Sequence, residues 1–243
     1  MARISRHSLS DRVTDEILAI IENRPIGVGE ALPPTRELAE IFDVSVVVVR
    51  EALATLAGRG IIRRGQGREP VVTRPGVEVL DTIFRTRMHQ DAIPVDEFQQ
   101  CRAALEAQSA ASAALGGDAA RAVATLNERV DALAAASDRE AFAEADLQFH
   151  RSLAELSGNR ALSILLDALG SLVRESLLEM YERVADEPAA LARAVDHHRE
   201  IAAAVAVGDP HAAVAAMRTH FEESAHGNDF SFMAVKMTDA VAR

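Results

Sequence analysis

Four side chains in the second half of the chain have the types and spacing of a metal site. Asp146 and His150 lie on the helical face defined by Phe142, Phe149 and Leu153, at i and i+4, so their side chains can converge. His198 sits within the stripe Leu191, Val195, Ala202 and Val205, and His220 continues the face of Ala213, Ala216 and Met217. An unpaired buried carboxylate costs several kcal/mol. A divalent cation would neutralise Asp146 and accept a lone pair from each imidazole. Zinc suits such ligands first, with nickel, manganese or iron as alternatives. The other reading of the same residues is an Asp–His cluster held by hydrogen bonds without metal. His197 shares a face with Arg193 and Glu200 and is expected to meet solvent, while His7, His89, His211 and His226 follow no pattern.

Positioning these residues requires a bundle of helices. Helical periodicity runs over 95–115, 118–136, 138–157, 160–184, 188–207 and 210–226. The breaks fall at Gly116-Gly117, Ser157-Gly158-Asn159, Glu187-Pro188 and Gly208-Asp209-Pro210. Residues 227–243 lack a pattern and are expected to fray. Val77–Met88 reads as a linking helix after a boundary at Thr73-Arg74-Pro75-Gly76.

The first part of the chain has a different pattern. A helix over 8–24 carries Val13, Ile17, Ile20 and Ile21 on one stripe. A short helix from Thr35 to about Phe42 meets a turn at Asp43-Val44, and Ser45 offers an N-cap to a second helix ending at Gly58-Arg59-Gly60. The run Val46–Val49 is β-branched and taken alone favours a strand. The cap, the helix-forming sequence after it, and Val49, Ala52, Leu53 and Leu56 on one face decide for helix. Ile61–Thr73 then reads as two short strands around Gly65-Gln66-Gly67. Helix, turn, helix and basic hairpin make a winged helix-turn-helix, which lays a helix in a DNA major groove.

Charge divides the same way. The chain carries a net charge of −11, yet residues 1–74 hold 11 arginines against 10 acids, and the remainder holds 15 basic against 27 acidic residues. Arg59, Arg63, Arg64 and Arg68 cluster near the hairpin, where phosphate contact needs them. Alanine is abundant, aromatics make up 4% and Trp is absent, which favours packed helices. The single cysteine, Cys101, excludes an internal disulfide framework and is expected to be a small core residue. No apolar run approaches a membrane span and the first residues lack an apolar signal core, so a cytoplasmic protein is expected, without membrane partners. The expected fold is mainly α, organised as 1–74 (winged helix-turn-helix), 75–94 (linker helix), 95–227 (all-α antiparallel helical bundle) and 228–243 (tail).

The N-terminal segment resembles the DNA-binding domain of the GntR family of bacterial transcription regulators. Leu32-Pro33, Arg36-Glu37-Leu38-Ala39, Ser45 and Val49-Arg50-Glu51-Ala52-Leu53 match that family's pattern in order and spacing. Two positions depart from it. Val46 stands where most relatives have a DNA-contacting Arg, and Arg68-Glu69-Pro70 replaces a small and a β-branched residue in the second wing strand. Residues 95–225 resemble the FCD effector domain of the FadR-like branch. Asp146-Leu147-Gln148-Phe149-His150, His198-Arg199-Glu200-Ile201 and Met217-Arg218-Thr219-His220 match the motifs of its metal-binding members. Arg102-Ala103-Ala104-Leu105-Glu106 matches a first-helix motif whose Arg often reaches the effector.

The resemblance implies a ligand-responsive regulator, a repressor, acting as a homodimer on double-stranded DNA with a pseudo-palindromic operator. The expected DNA contacts are Arg50 and Arg36, with Ser45, Val46, Arg63, Arg64, Gln66 and Gly67 as further candidates. Val46 can touch a thymine methyl but cannot bridge guanine. The metal ligands are Asp146, His150, His198 and His220, with Arg102 and Asn159 as candidates for holding a small organic acid effector. Two alternatives remain for these residues: Arg102 can pair with Glu106 or another acid, and Asn159 suits a turn. Rival functions are a metal-dependent hydrolase and an architectural DNA-binding dimer without effector. The first lacks an HExxH motif and a further general base, since the nearby acids read as solvent-facing.

Overall fold

The computed structural model describes residues 8–23, 26–65, 67–184 and 187–224, which form two units divided between Leu80 and Asp81. No described helix is long and apolar enough to cross a membrane.

In the first unit, α1 (Leu9–Asn23), α2 (Thr35–Ile41) and α3 (Val46–Gly58) enclose a core of Val13, Ile17, Leu38, Val49, Leu53 and Leu56. Burying one face of α3 outweighs the strand preference of its four valines. Ser45 caps the helix, accepting a hydrogen bond from Val48 N at 3.4 Å. The turn before it places Asp43 at φ 51°, a conformation that short polar side chains tolerate. The hairpin strands β1 (Ile62–Gly65) and β2 (Arg68–Val72) pair antiparallel with Ile62 opposite Val72, and the register shifts between Arg63 and Gly65. Gly67 holds φ 64° in the turn. Pro70 is buried in the second strand, and its carbonyl accepts from Leu32 N at 2.7 Å.

The chain then continues through α4 (Val77–Gln90) into α5 (Val95–Ala114), α6 (Ala119–Ala134), α7 (Arg139–Leu156), α8 (Arg160–Ala168), α9 (Gly170–Val184), α10 (Pro188–Val207) and α11 (Pro210–Ser224). The bundle core joins Ala103, Ala107 and Ala110 of α5 to Leu126, Phe149, Leu153, Ile201 and Met217. The alanines leave room for α11 and α10 to pack closely against α5. Asp118, Asp138 and Asn159 each cap a following helix through a side-chain oxygen.

Three expectations are corrected here. The helix expected over 160–184 is two helices, broken at Leu169-Gly170. Gly170 lies beside the Arg151 side chain of α7, whose Nη2 a Cβ there would approach within 2.7 Å. Cys101 is exposed, not part of the core. His197 is 9% exposed rather than solvated, with Nε2 3.2 Å from Glu223 Oε2, because α11 folds over the edge of the α10 face that carries it. The expected tail, 228–243, lies outside the described residues.

Candidate metal centre and nucleic-acid interface

Asp146 and His150 project from α7, His198 from α10 and His220 from α11, and all four side chains are buried. Each offers one ligand atom, and these atoms lie within 4.8 Å of one another. Ligands about 2.1 Å from one ion stand at most about 4.2 Å apart. Tetrahedral ligands at that distance stand only about 3.4 Å apart, so the cluster is more than an ångström wider than a closed tetrahedral shell and its side chains would draw in on binding. The three imidazole centroids are 4.6–5.2 Å apart, and Phe149 backs His198 edge-on at 4.7 Å.

The surroundings fix which nitrogens keep a free lone pair. His198 Nδ1 lies 2.7 Å from the Ala194 carbonyl, which can only accept, so Nδ1 carries the proton. The Nε2 of a neutral His198 then faces Asp146 Oδ1 at 3.1 Å, lone pair toward lone pair. His150 Nδ1 lies 2.6 Å from Glu106 Oε2, and its Nε2 lies 3.7 Å from Asp146 Oδ2. Asp146 Oδ2, Glu106 Oε2, both ring nitrogens of His150, His198 Nε2 and His220 Nδ1 are all buried without an aligned hydrogen-bond partner among the described residues. Buried polar atoms are seldom left so. Convergent acceptors of this kind fit a bound cation, or a proton that turns one imidazole into a donor.

Electrostatics point the same way. Burial pushes the Asp146 carboxyl up, but the His150 and His198 rings and the Arg102 guanidinium outweigh it and hold Asp146 well below the usual carboxylate range. Burial beside the His198 and His150 rings lowers His220 well below its ordinary value, favouring a neutral ring with a lone pair to give.

Glu106 of α5 is the functional candidate that the sequence reading missed. It is buried, contrary to the expectation that nearby acids face solvent, and its Oε1 accepts from Arg102 Nε at 2.6 Å. Burial raises its carboxyl, but Arg102 and His150 outweigh that and leave it lowered. Arg102 is buried too, its Nη2 3.5 Å from Asp146 Oδ2 and its guanidinium over the Phe221 ring at 5.0 Å. Arg102 thus stands at the cluster while paired to Glu106. Asn159 is exposed, its Oδ1 accepting from Ala161 N and Leu162 N at the start of α8, which is a turn role.

On the first unit, Arg36, Ser45, Arg50, Arg63, Arg64 and Gly67 are exposed, and Gln66 lies outside the described residues. Val46 is half-buried against the core, together with Val48. Val47 is instead 61% exposed and shares the outer face of α3 with Arg50, Glu51 and Ala54, at i, i+3, i+4 and i+7. The β-branched run obscured this split in the sequence, since burial alone tells the valines apart.

Comparison with known proteins agrees with this arrangement. Residues 9–72 match the model for bacterial regulatory proteins of the gntR family, and residues 97–223 match the FCD domain. The HTH-type transcriptional repressor NanR of Citrobacter rodentium (strain ICC168) is 30% identical over 233 residues, covering 89% of this chain and 84% of that protein. The NanR repressor of Escherichia coli O127:H6 is 34% identical over 170 residues, 64% of this chain and 60% of the relative, so that match spans less than two thirds of the relative's length. The solved structure of a Streptococcus agalactiae GntR protein superposes with a TM-score of 0.68 at 26% identity, covering 88% of this chain and 97% of that one. The FCD match over more than half of the chain, the gntR match before it and the NanR relative along most of its length place this chain in the gntR family of bacterial regulatory proteins, a family of regulators rather than enzymes, with an FCD domain as its helical unit.

Proposed function

We propose that the protein is a transcriptional repressor that binds a pseudo-palindromic operator as a homodimer in the cytoplasm. Its affinity for DNA responds to a small carboxylate held at a divalent metal in the FCD domain. The observation that carries the reading is the convergence of Asp146, His150, His198 and His220, with unpartnered acceptor atoms, in the core of an effector-type domain. These four side chains would hold the ion, zinc first, with nickel, manganese or iron also compatible with the ligand set. When bound, the ion would supply a Lewis-acidic positive charge to a carboxylate oxygen.

The chain's own charges support an anionic effector. Arg102 and a divalent ion, set against Asp146 and Glu106, leave one uncompensated positive charge in a buried site. A carboxylate would neutralise it. Exposed apolar residues of the helical unit, Ile83 and Phe84 on α4 and Ile164 and Leu165 on α8, are surface that a second copy would cover. A homodimer presents two copies of α3 about one DNA turn apart.

On α3 the exposed Val47 joins Arg50 at the surface that would enter the groove, where an aliphatic side chain suits a thymine methyl. Val47→Ser should therefore change the bases selected from a random duplex pool while leaving fold and dimerisation intact. The same consensus from both proteins would exclude Val47 from base reading. The function as a whole is tested by binding of the selected duplex with and without a panel of small carboxylates. Release by one of them is the expected outcome, whereas a DNA affinity insensitive to metal and to every acid would favour a purely architectural dimer.

A further inference from the structure

We infer that Glu106 is the positioning residue of the metal centre: its carboxylate holds His150 in the Nδ1–H tautomer and so aims Nε2 at the ion. This rests on the metal reading above. Glu106 lies one turn beyond Arg102 on α5, a spacing that on most helices marks an ordinary solvated ion pair. Here both side chains are buried, which is costly for charges. A buried pair of this kind can often be replaced by apolar residues of similar volume without loss of stability. Neutralising Arg102 accounts for only one of its oxygens, because Oε1 receives Arg102 Nε while Oε2 lies 2.6 Å from His150 Nδ1, within hydrogen-bonding distance although off the line of the ring N–H.

That second contact has a chemical consequence. An ionised carboxylate only accepts, so it draws the imidazole proton to Nδ1 and leaves the Nε2 lone pair free, 3.7 Å from Asp146 Oδ2. His198 reaches the same tautomer through a backbone carbonyl. The carboxylate at His150 adds more: it lies on the side of the ring away from the site and so orients the ring as well as its proton. Arg102, between Glu106 and Asp146, keeps these two carboxylates from repelling each other before the ion arrives.

The test separates Glu106 from Arg102 by comparing Arg102→Leu with the Arg102→Leu/Glu106→Leu double variant, both lacking the guanidinium. Zinc alone is titrated against full-length protein in competition with a chelator, and the tautomer of His150 is read in metal-stripped protein from long-range 15N–1H NMR spectra. The expected result is roughly 10- to 100-fold weaker zinc binding in the double variant, with loss of the Nδ1–H signature that the native protein shows. Glu106→Gln, whose amide oxygen still accepts from Nδ1–H, should fold, keep the tautomer and lose less affinity. It keeps the question answerable if the double variant does not fold. Equal zinc affinity and an unchanged tautomer without Glu106 would overturn the inference and leave the metal site standing. Failure of the native protein to take up zinc would overturn both.

Discussion

Replacing His198 by alanine should abolish zinc binding and erase the thermal stabilisation that zinc confers. Binding to the folded state alone stabilises it by about 2.7 kcal/mol at a free metal concentration a hundredfold above Kd. For a protein of this size that is roughly 5–10 °C in Tm. His198 is fully buried, its Nδ1 is committed to the Ala194 carbonyl, and its Nε2 faces Asp146 Oδ1, so no other described side chain is placed to substitute for it. His197→Ala supplies the contrast. His197 is also buried and contacts Glu223, so its loss should lower Tm in metal-free and zinc-loaded protein alike while leaving the zinc-dependent increment intact. Differential scanning fluorimetry on stripped and loaded samples separates the two. Equal loss of the increment in both variants would mean that the cluster does not act as a specific site.

The second large effect is expected at Arg50. Its Ala variant should bind the selected operator about 1–3 kcal/mol more weakly, roughly 5- to 150-fold in Kd at fixed salt, with dimerisation unchanged. Arg50 is exposed on the outer face of α3 beside Val47, one turn after the Ser45 cap, while Val49 and Leu53 anchor the opposite face in the core. A gel-shift titration giving native affinity would remove Arg50 from the interface. If affinity falls equally for every duplex and the salt dependence weakens by about one charge, Arg50 meets a phosphate rather than a base.

Much of this architecture was legible in the sequence, for a physical reason. Asp146 and His150 stand among Phe142, Phe149 and Leu153, large residues whose burial is decided by helical period alone, so a polar residue on that face is conspicuous. His198 and His220 were found in the same way. Glu106 was not, because its helix buries Ala103, Ala107 and Ala110, and small residues mark a face weakly. His197 was misread because a single helix cannot show that α11 contributes Glu223 to its flank. The break at Leu169-Gly170 carries neither proline nor a polar turn, so no local signal marks it in the sequence. In the first unit the Ser45 cap and the Val49–Leu56 stripe located α3. Which of its valines faces outward followed only from the packing of α3 on α1 and α2.

The proposed coupling of metal, carboxylate and DNA can be followed in one measurement. Fluorescence anisotropy of the selected duplex is followed as small carboxylates are added to zinc-loaded and to chelator-treated full-length protein. The ligand set of Asp146, His150, His198 and His220, with Arg102 beside it, predicts that at least one acid releases the duplex from loaded protein and has no effect on stripped protein, because an effector shifts an equilibrium only through differential affinity. Release of equal size from both preparations, or zinc uptake with no response to any acid, would contradict it.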